Sequence, residues 1–161
     1  IESVHTMSKI AEEAEKGKLS DNDIKIPHST NERDITSFLA RQAVESQHVL
    51  ETKAILTASY TGRTVRFLAA YRGVNPIYAM CPTKPLVRQL ALSYGVIPVY
   101  QVGDGHVRDY YLKALHNLVD KGLLSVDDKV VYLSSNDRNG VSGTTFLEIN
   151  LVNHIFNNEN K

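Results

Sequence analysis

Six consecutive residues, Ser59-Tyr60-Thr61-Gly62-Arg63-Thr64, gather the groups that an oxyanion needs. Ser59, Thr61 and Thr64 bring hydroxyls, Gly62 lets backbone approach closely, and the segment leads directly into a helical pattern. Free amides and the dipole at a helix start stabilise a phosphate, and hydroxyls donate to its oxygens. Arg63 and Arg66 add positive charge nearby. The plainer alternative is that Ser59 or Thr61 merely caps the helix. The loop lacks the Gly-Lys-Ser/Thr of a nucleotide-hydrolysing loop, so nucleotide hydrolysis is not implied.

A second stretch, Asn136-Asp137-Arg138-Asn139-Gly140-Val141-Ser142-Gly143-Thr144-Thr145, ends a strand pattern on the same side of the expected sheet. It could close over a ligand held by the first loop, with Arg138 as a second phosphate contact, or be an ordinary hairpin loop. Gly103-Asp104-Gly105-His106 occupies that edge too, with Asp104 read as a helix cap. The six histidines show no metal-ligand spacing such as His-x3-His. Nothing marks Cys81 as an activated nucleophile, and no Ser-His-Asp set has a nucleophile-elbow motif.

The elements that must position these loops alternate. An opening helix carries Val4, Met7, Ile10, Ala11 and Ala14 at 3.6-residue spacing. Gly17 to Arg33 reads as an exposed linker. Asp34 caps a long helix through Ile35, Phe38, Leu39, Ala43, Val44 and Val49. Strand patterns follow at Ala54–Thr57, Pro76–Met80, Val96–Tyr100, Lys129–Leu133 and Thr145–Ile149. Between them lie helices through Val65–Tyr71, from about Lys84 to Tyr94 and from about His106 to Lys121, the last two closed by Gly95 and Gly122. This alternation predicts an α/β fold: three layers, a mostly parallel five-stranded sheet with helices on both faces. About ten loop residues and no helix precede the last strand, so it is expected to be antiparallel. The tail from Asn157 reads as polar and frayed.

Composition narrows the class. With 161 residues, 42% of them hydrophobic, the chain can bury one core. Eighteen basic residues balance eighteen acidic ones, giving no global field toward nucleic acid or an anionic membrane. No apolar run approaches the roughly 20 residues of a membrane span. The single cysteine excludes an internal disulfide and fits a cytoplasmic location. The absence of an initiator Met, with the chain opening inside a helix, reads as a fragment boundary.

Several stretches in order resemble pyruvate kinase. Ile1 to Glu15 is similar to the helix that closes that enzyme's catalytic barrel. Ser59 to Thr64 looks like the family's effector loop, hydroxyl-x-hydroxyl-Gly-x-hydroxyl. Tyr71-Arg72 with Pro76-Ile77, Arg88 to Leu92 with Gly95 to Pro98, Lys121 to Leu124, and Gly143-Thr144-Thr145 complete the run. The resemblance implies a C-terminal regulatory domain at 34–161, a linker at 18–33, and a helix at 1–17 left from the barrel. In that family the parent enzyme transfers a phosphoryl group from phosphoenolpyruvate to ADP with magnesium and usually potassium. Its catalytic residues lie in the barrel, so the resemblance implies no catalysis, cofactor or metal site here.

Further expectations follow from the family. Ser59, Thr61, Gly62, Arg63 and Thr64 would hold one phosphate of a sugar phosphate or bisphosphate effector. Arg108 would meet the other, and Arg138, Gly140, Gly143 and Thr144 would close over the sugar. The partners implied are the chain's own catalytic domain and further copies in a homotetramer. Gly73 stands where the family prefers proline, Ser134-Ser135-Asn136 replaces Thr-Ala-Gly, and Tyr60 puts a bulky ring in the phosphate loop. A free-standing domain with its own small-molecule role, and a purely structural oligomerisation domain, are the alternatives.

Overall fold

The computed structural model describes residues 2–16, 34–101, 107–134 and 143–159. The linker expected at 18–33, Gly103–His106, Arg138 and Gly140 lie outside the described residues. The elements are α1 (Glu2–Lys16), α2 (Ile35–Val49), β1 (Ala54–Ala58), α3 (Arg63–Ala70), β2 (Ile77–Cys81), α4 (Lys84–Leu90), β3 (Val96–Tyr100), α5 (Val107–Asp120), β4 (Lys129–Ser134), β5 (Phe146–Leu151) and α6 (Val152–Glu159).

The five strands form one sheet in the order β3-β2-β1-β4-β5. β1 pairs in parallel with β2 and with β4, β2 in parallel with β3, and β5 runs antiparallel to β4. This is the α/β architecture expected, including the reversal of the last strand. The β4–β5 join holds too few residues for a crossover helix, which leaves an antiparallel return as the available geometry.

The strands read as unbroken apolar runs because both faces of the sheet are covered. On one face Ile55, Ile77, Ala79, Cys81, Val131 and Leu133 pack with Ala40, Ala43 and Val44 of α2, Val65 and Leu68 of α3, and Leu86 and Leu90 of α4. On the other, Leu56, Tyr78, Met80, Val130 and Tyr132 pack with Tyr111, Leu115 and Leu118 of α5 and Val152 and Ile155 of α6. Tyr111 stacks on Tyr132 with ring centroids 4.0 Å apart.

Local signals fix the element ends. Asp34 Oδ1 accepts the Thr36 amide at 3.0 Å, capping α2 as its sequence predicts. Thr83 Oγ1 accepts the Leu86 amide at the start of α4. Gly95 and Gly122 take positive φ angles of 67° where the chain leaves its helices. Two bounds differ from expectation. α4 stops at Leu90, and turn residues fill the interval to Gly95. From Asn157, where fraying is expected, helix continues to Glu159 as the end of α6, which Val152 and Ile155 anchor by their burial against the α5 face.

β3 is one edge strand of the sheet, β5 the other. Gln101 donates its amide to Cys81 O and Gly95 O accepts from Ile77. Odd-numbered positions of β3 therefore face β2, and Pro98, which has no N–H, falls on the outer side. A proline there costs the ladder nothing and blunts the edge against pairing with another strand.

Candidate functional site

In this sheet the loops following β1, β2 and β3 leave from the same edge, where open α/β sheets hold ligands. The turn from β1 into α3 is built from the inside outward. Ser59 is buried, and its Oγ accepts the Gly62 amide at 3.0 Å. Gly62 takes the left-handed conformation, φ 79°, and is the N-cap of α3 without a capping side chain. Thr61 Oγ1 is 3.4 Å from the Arg63 amide, and Arg66 Nη1 is 3.4 Å from Thr61 O. No hydrogen bond among the described residues engages the amides of Thr64 or Val65. Ser59 thus fixes the loop rather than capping the helix, and the start of α3 keeps donors to spare.

Two further elements converge here. Thr64 and Thr144 share a hydroxyl–hydroxyl hydrogen bond of 2.7 Å, tying α3 to the segment that precedes β5. The Thr144 amide donates to Thr36 Oγ1 at 3.1 Å, tying that segment to the first turn of α2. Gly143, φ 73°, passes so close to Thr36 that an added Cβ would lie 2.6 Å from Thr36 Oγ1. Arg63 Nη2 donates to Asp34 Oδ2 at 2.5 Å and lies 5.9 Å over the Phe67 ring.

Of the expected site residues, Ser59, Thr61, Gly62, Arg63 and Thr64 come together, with Gly143 and Thr144 beside them. Arg108 stands on the other face of the sheet at the start of α5, 3.9 Å from Glu148. Arg138 and Gly140 lie outside the described residues. Sequence reading missed the part played by Asp34 and Thr36, whose partners are 29 and 108 residues away. Asp34 was recognisable as a cap, but no local signal marks the second bond.

Tyr60 is partly exposed and lines a small cleft of about 90 Å³ with Ala58, Ser59, Met80, Pro82 and Tyr110. Burial, and then Tyr110, push its phenol above the ordinary value. Deeper in, burial first and Glu148 and Tyr132 next raise the Tyr111 phenol, while Arg108 acts the other way. Cys81 is buried, and burial pushes its thiol up to about 11, the opposite of activation.

The donor set near the loop is hydroxyl, amide and guanidinium, which suits an anion. Among the described residues no group of three or more His, Cys, Asp or Glu side chains gathers as a metal would need. No described helix is long and apolar enough to cross a membrane.

Fold and site define an α/β domain of the doubly wound kind, with its hydroxyl-rich helix start on the carboxyl edge of the sheet. The chain belongs to the pyruvate kinase family: residues 37–149 match its "Pyruvate kinase, alpha/beta domain". It is 30% identical over 159 residues to the pyruvate kinase of Borreliella burgdorferi, covering 94% of this chain and 32% of that protein. It is 31% identical over 153 residues to that of Clostridium acetobutylicum, with the same coverage. Cryptosporidium parvum pyruvate kinase in complex with ADP has the same fold, with a TM-score of 0.64 and 24% identity over 72% of this chain and 23% of that one. The chain thus spans about a third of the length of the curated relatives it matches.

Proposed function

We propose that this chain is the regulatory part of a pyruvate kinase, that it binds a phosphorylated effector at Ser59–Thr64, and that it transfers no phosphoryl group by itself. The observation that carries the reading is the uncapped start of α3. The amides of Thr64 and Val65 have no hydrogen-bond partner among the described residues, and they lie beside the hydroxyls of Thr61 and Thr64. An anion in the loop completes those donors and meets the positive end of the helix. Relatives that are whole pyruvate kinases support assigning the catalytic step to a companion barrel domain, with which α1 would pack. Its apolar positions Val4, Met7 and Ile10 are exposed.

Regulation needs the anion site to reach another surface, and α2 offers the route. Its first turn is bonded to the loop through Asp34–Arg63 and to Thr144 through Thr36. Its outer side exposes Ile35, Phe38 and Val49. These positions support α2 as a contact between copies in a homo-oligomer. An effector that draws Arg63 and Thr64 onto itself would favour one placement of α2, and so one assembly, by differential binding.

Calorimetric titration of the chain with fructose 1,6-bisphosphate, glucose 6-phosphate and AMP tests the site, alongside Thr61→Ala and Thr64→Ala. Saturable heat that both substitutions abolish supports the reading. Heat unchanged by both, or none from any of the three at millimolar concentration, overturns it. Phosphoenolpyruvate and ADP should yield no pyruvate above a buffer control.

A further inference from the structure

The two faces of the sheet are not equally covered. α2, α3 and α4 lie on one, with α4 packed over β3. Among the described residues the other is covered by α5 and α6: α5 lies over β1 and β2, and α6 packs on β5. On that face no described helix packs closely over β3, and Ile97 is exposed in mid-strand. The gap beside α5 is a cavity of about 340 Å³, which falls within the usual range for small-molecule sites of roughly 300–1,000 Å³.

Its floor is apolar, made by Tyr78, Met80, Ile97 and Val99 of the two strands, and its wall is Ala114 and Leu118 of α5. Its rim is cationic. Lys113 of α5 and Lys121, in the turn just past the end of α5, both line it, eight residues apart and so on the order of 12 Å if the helical rise were continued. Neither ammonium forms an ion pair or hydrogen bond among the described residues. At the end of β3, Tyr100 lines the cavity and carries Lys84 5.7 Å from its ring centroid. No carboxylate is among the described residues that line the space. An apolar floor under unpaired ammonium groups selects a molecule with both characters. A pairing strand is disfavoured as occupant by Pro98 on the outer edge.

We infer that the groove between α5 and the β2–β3 face binds a small amphipathic anion. Its apolar body lies on Tyr78, Met80, Ile97 and Val99, and its single carboxylate or similar head meets Lys113 or Lys121. The site is separate from the Ser59–Thr64 loop and does not depend on the effector reading.

The test is amide mapping of the isotopically labelled chain by NMR, with decanoate below its micelle concentration and 1-decanol as the uncharged counterpart. Decanoate should shift amides of β3 and of α5 around Lys113 to Lys121, and decanol should bind more weakly. Lys113→Gln with Lys121→Gln, which removes the ammonium whichever lysine is used, should weaken decanoate about fivefold, the scale of one partly solvated ion pair. Both positions are exposed, so this variant keeps its fold. Ala114→Phe, which fills the cavity, should abolish the shifts while the spectrum stays dispersed. Shifts that fall on α1 or α2, no shifts at all, equal binding of decanol, or affinity indifferent to the lysine pair would each overturn the inference.

Discussion

Arg63 Nη2 lies 2.5 Å from Asp34 Oδ2, while the other oxygen of the same carboxylate caps α2 through the Thr36 amide. One side chain therefore serves a helix start and holds the arginine of the candidate anion loop. A phosphate arriving at the loop must compete with Asp34 for that guanidinium. Asp34→Asn separates the two duties, since asparagine caps a helix about as well as aspartate but carries no charge. Arg63 is mostly exposed, so loss of the ion pair should change stability by less than about 1 kcal/mol. Affinity for fructose 1,6-bisphosphate should rise severalfold once Arg63 is released. Calorimetry together with thermal unfolding reads both, and weaker binding by Asp34→Asn would mean that Arg63 does not reach the anion. Asp34→Ala, which also loses the cap, should cost about 1 kcal/mol.

The Thr64–Thr144 hydroxyl pair joins α3 to the start of β5, and Thr144 is buried. Thr64→Val and Thr144→Val keep the shape and remove the hydroxyl, leaving the partner unsatisfied. Each should destabilise by about 1–3 kcal/mol. The double variant should recover part of the sum, with a coupling of about 1 kcal/mol in urea denaturation. Strict additivity would show that the bond contributes nothing in solution.

What the sequence makes legible here is what local chemistry decides. Alternating strand and helix patterns, the cap at Asp34, and the glycines at 95 and 122 act within a few residues, so the layering follows from them. The loop Ser59–Thr64 is equally local: a hydroxyl, a glycine and a helix start. Asp34–Arg63 and Thr36–Thr144 are decided by how α2 lies across the sheet, and a single sequence carries no signal for that. Arg108 shows the same limit. The family resemblance gives it a phosphate contact, and the register Tyr132↔Glu148 that sets a carboxylate 3.9 Å from it has no local signal in the sequence. α6 was hidden because its buried face is only Val152 and Ile155, too few positions to show a period.

Glycine at 62 is required twice over. Its φ of 79° strains any L side chain, and an added Cβ would lie 3.1 Å from Leu90 Cδ2 and 3.3 Å from Leu86 Cδ1. Gly95 shares the positive φ, 67°, but nothing lies within 4 Å of an added Cβ. Gly95→Ala should therefore cost about 1 kcal/mol from backbone strain alone. Gly62→Ala should cost more, because Leu86 and Leu90 must give way as well, and it should weaken anion binding by moving the amides of α3. Chemical denaturation of the two variants side by side gives the order, and a smaller loss at 62 would contradict the packing described.

Cys81 provides a test of the core through pH. Burial raises its thiol from an ordinary 9.0 to about 11, so at pH 8 only about one molecule in a thousand carries a thiolate. The native chain should resist a thiol-specific disulfide reagent at pH 8 and react fully in 6 M guanidinium. The folded value lies above the unfolded one, so this contribution to stability is complete below pH 9 and is lost as pH rises through about 11. Tyr78, Tyr111 and Tyr132, all raised by burial from 10.0, add the same sign in a higher window. Urea midpoints should thus hold steady from pH 7 to about 8.5 and then fall. Cys81→Ala should be less stable at pH 7, because it leaves a buried gap, but its decline should begin nearer pH 10. A decline that begins at the same pH in both proteins would place its origin elsewhere than the thiol.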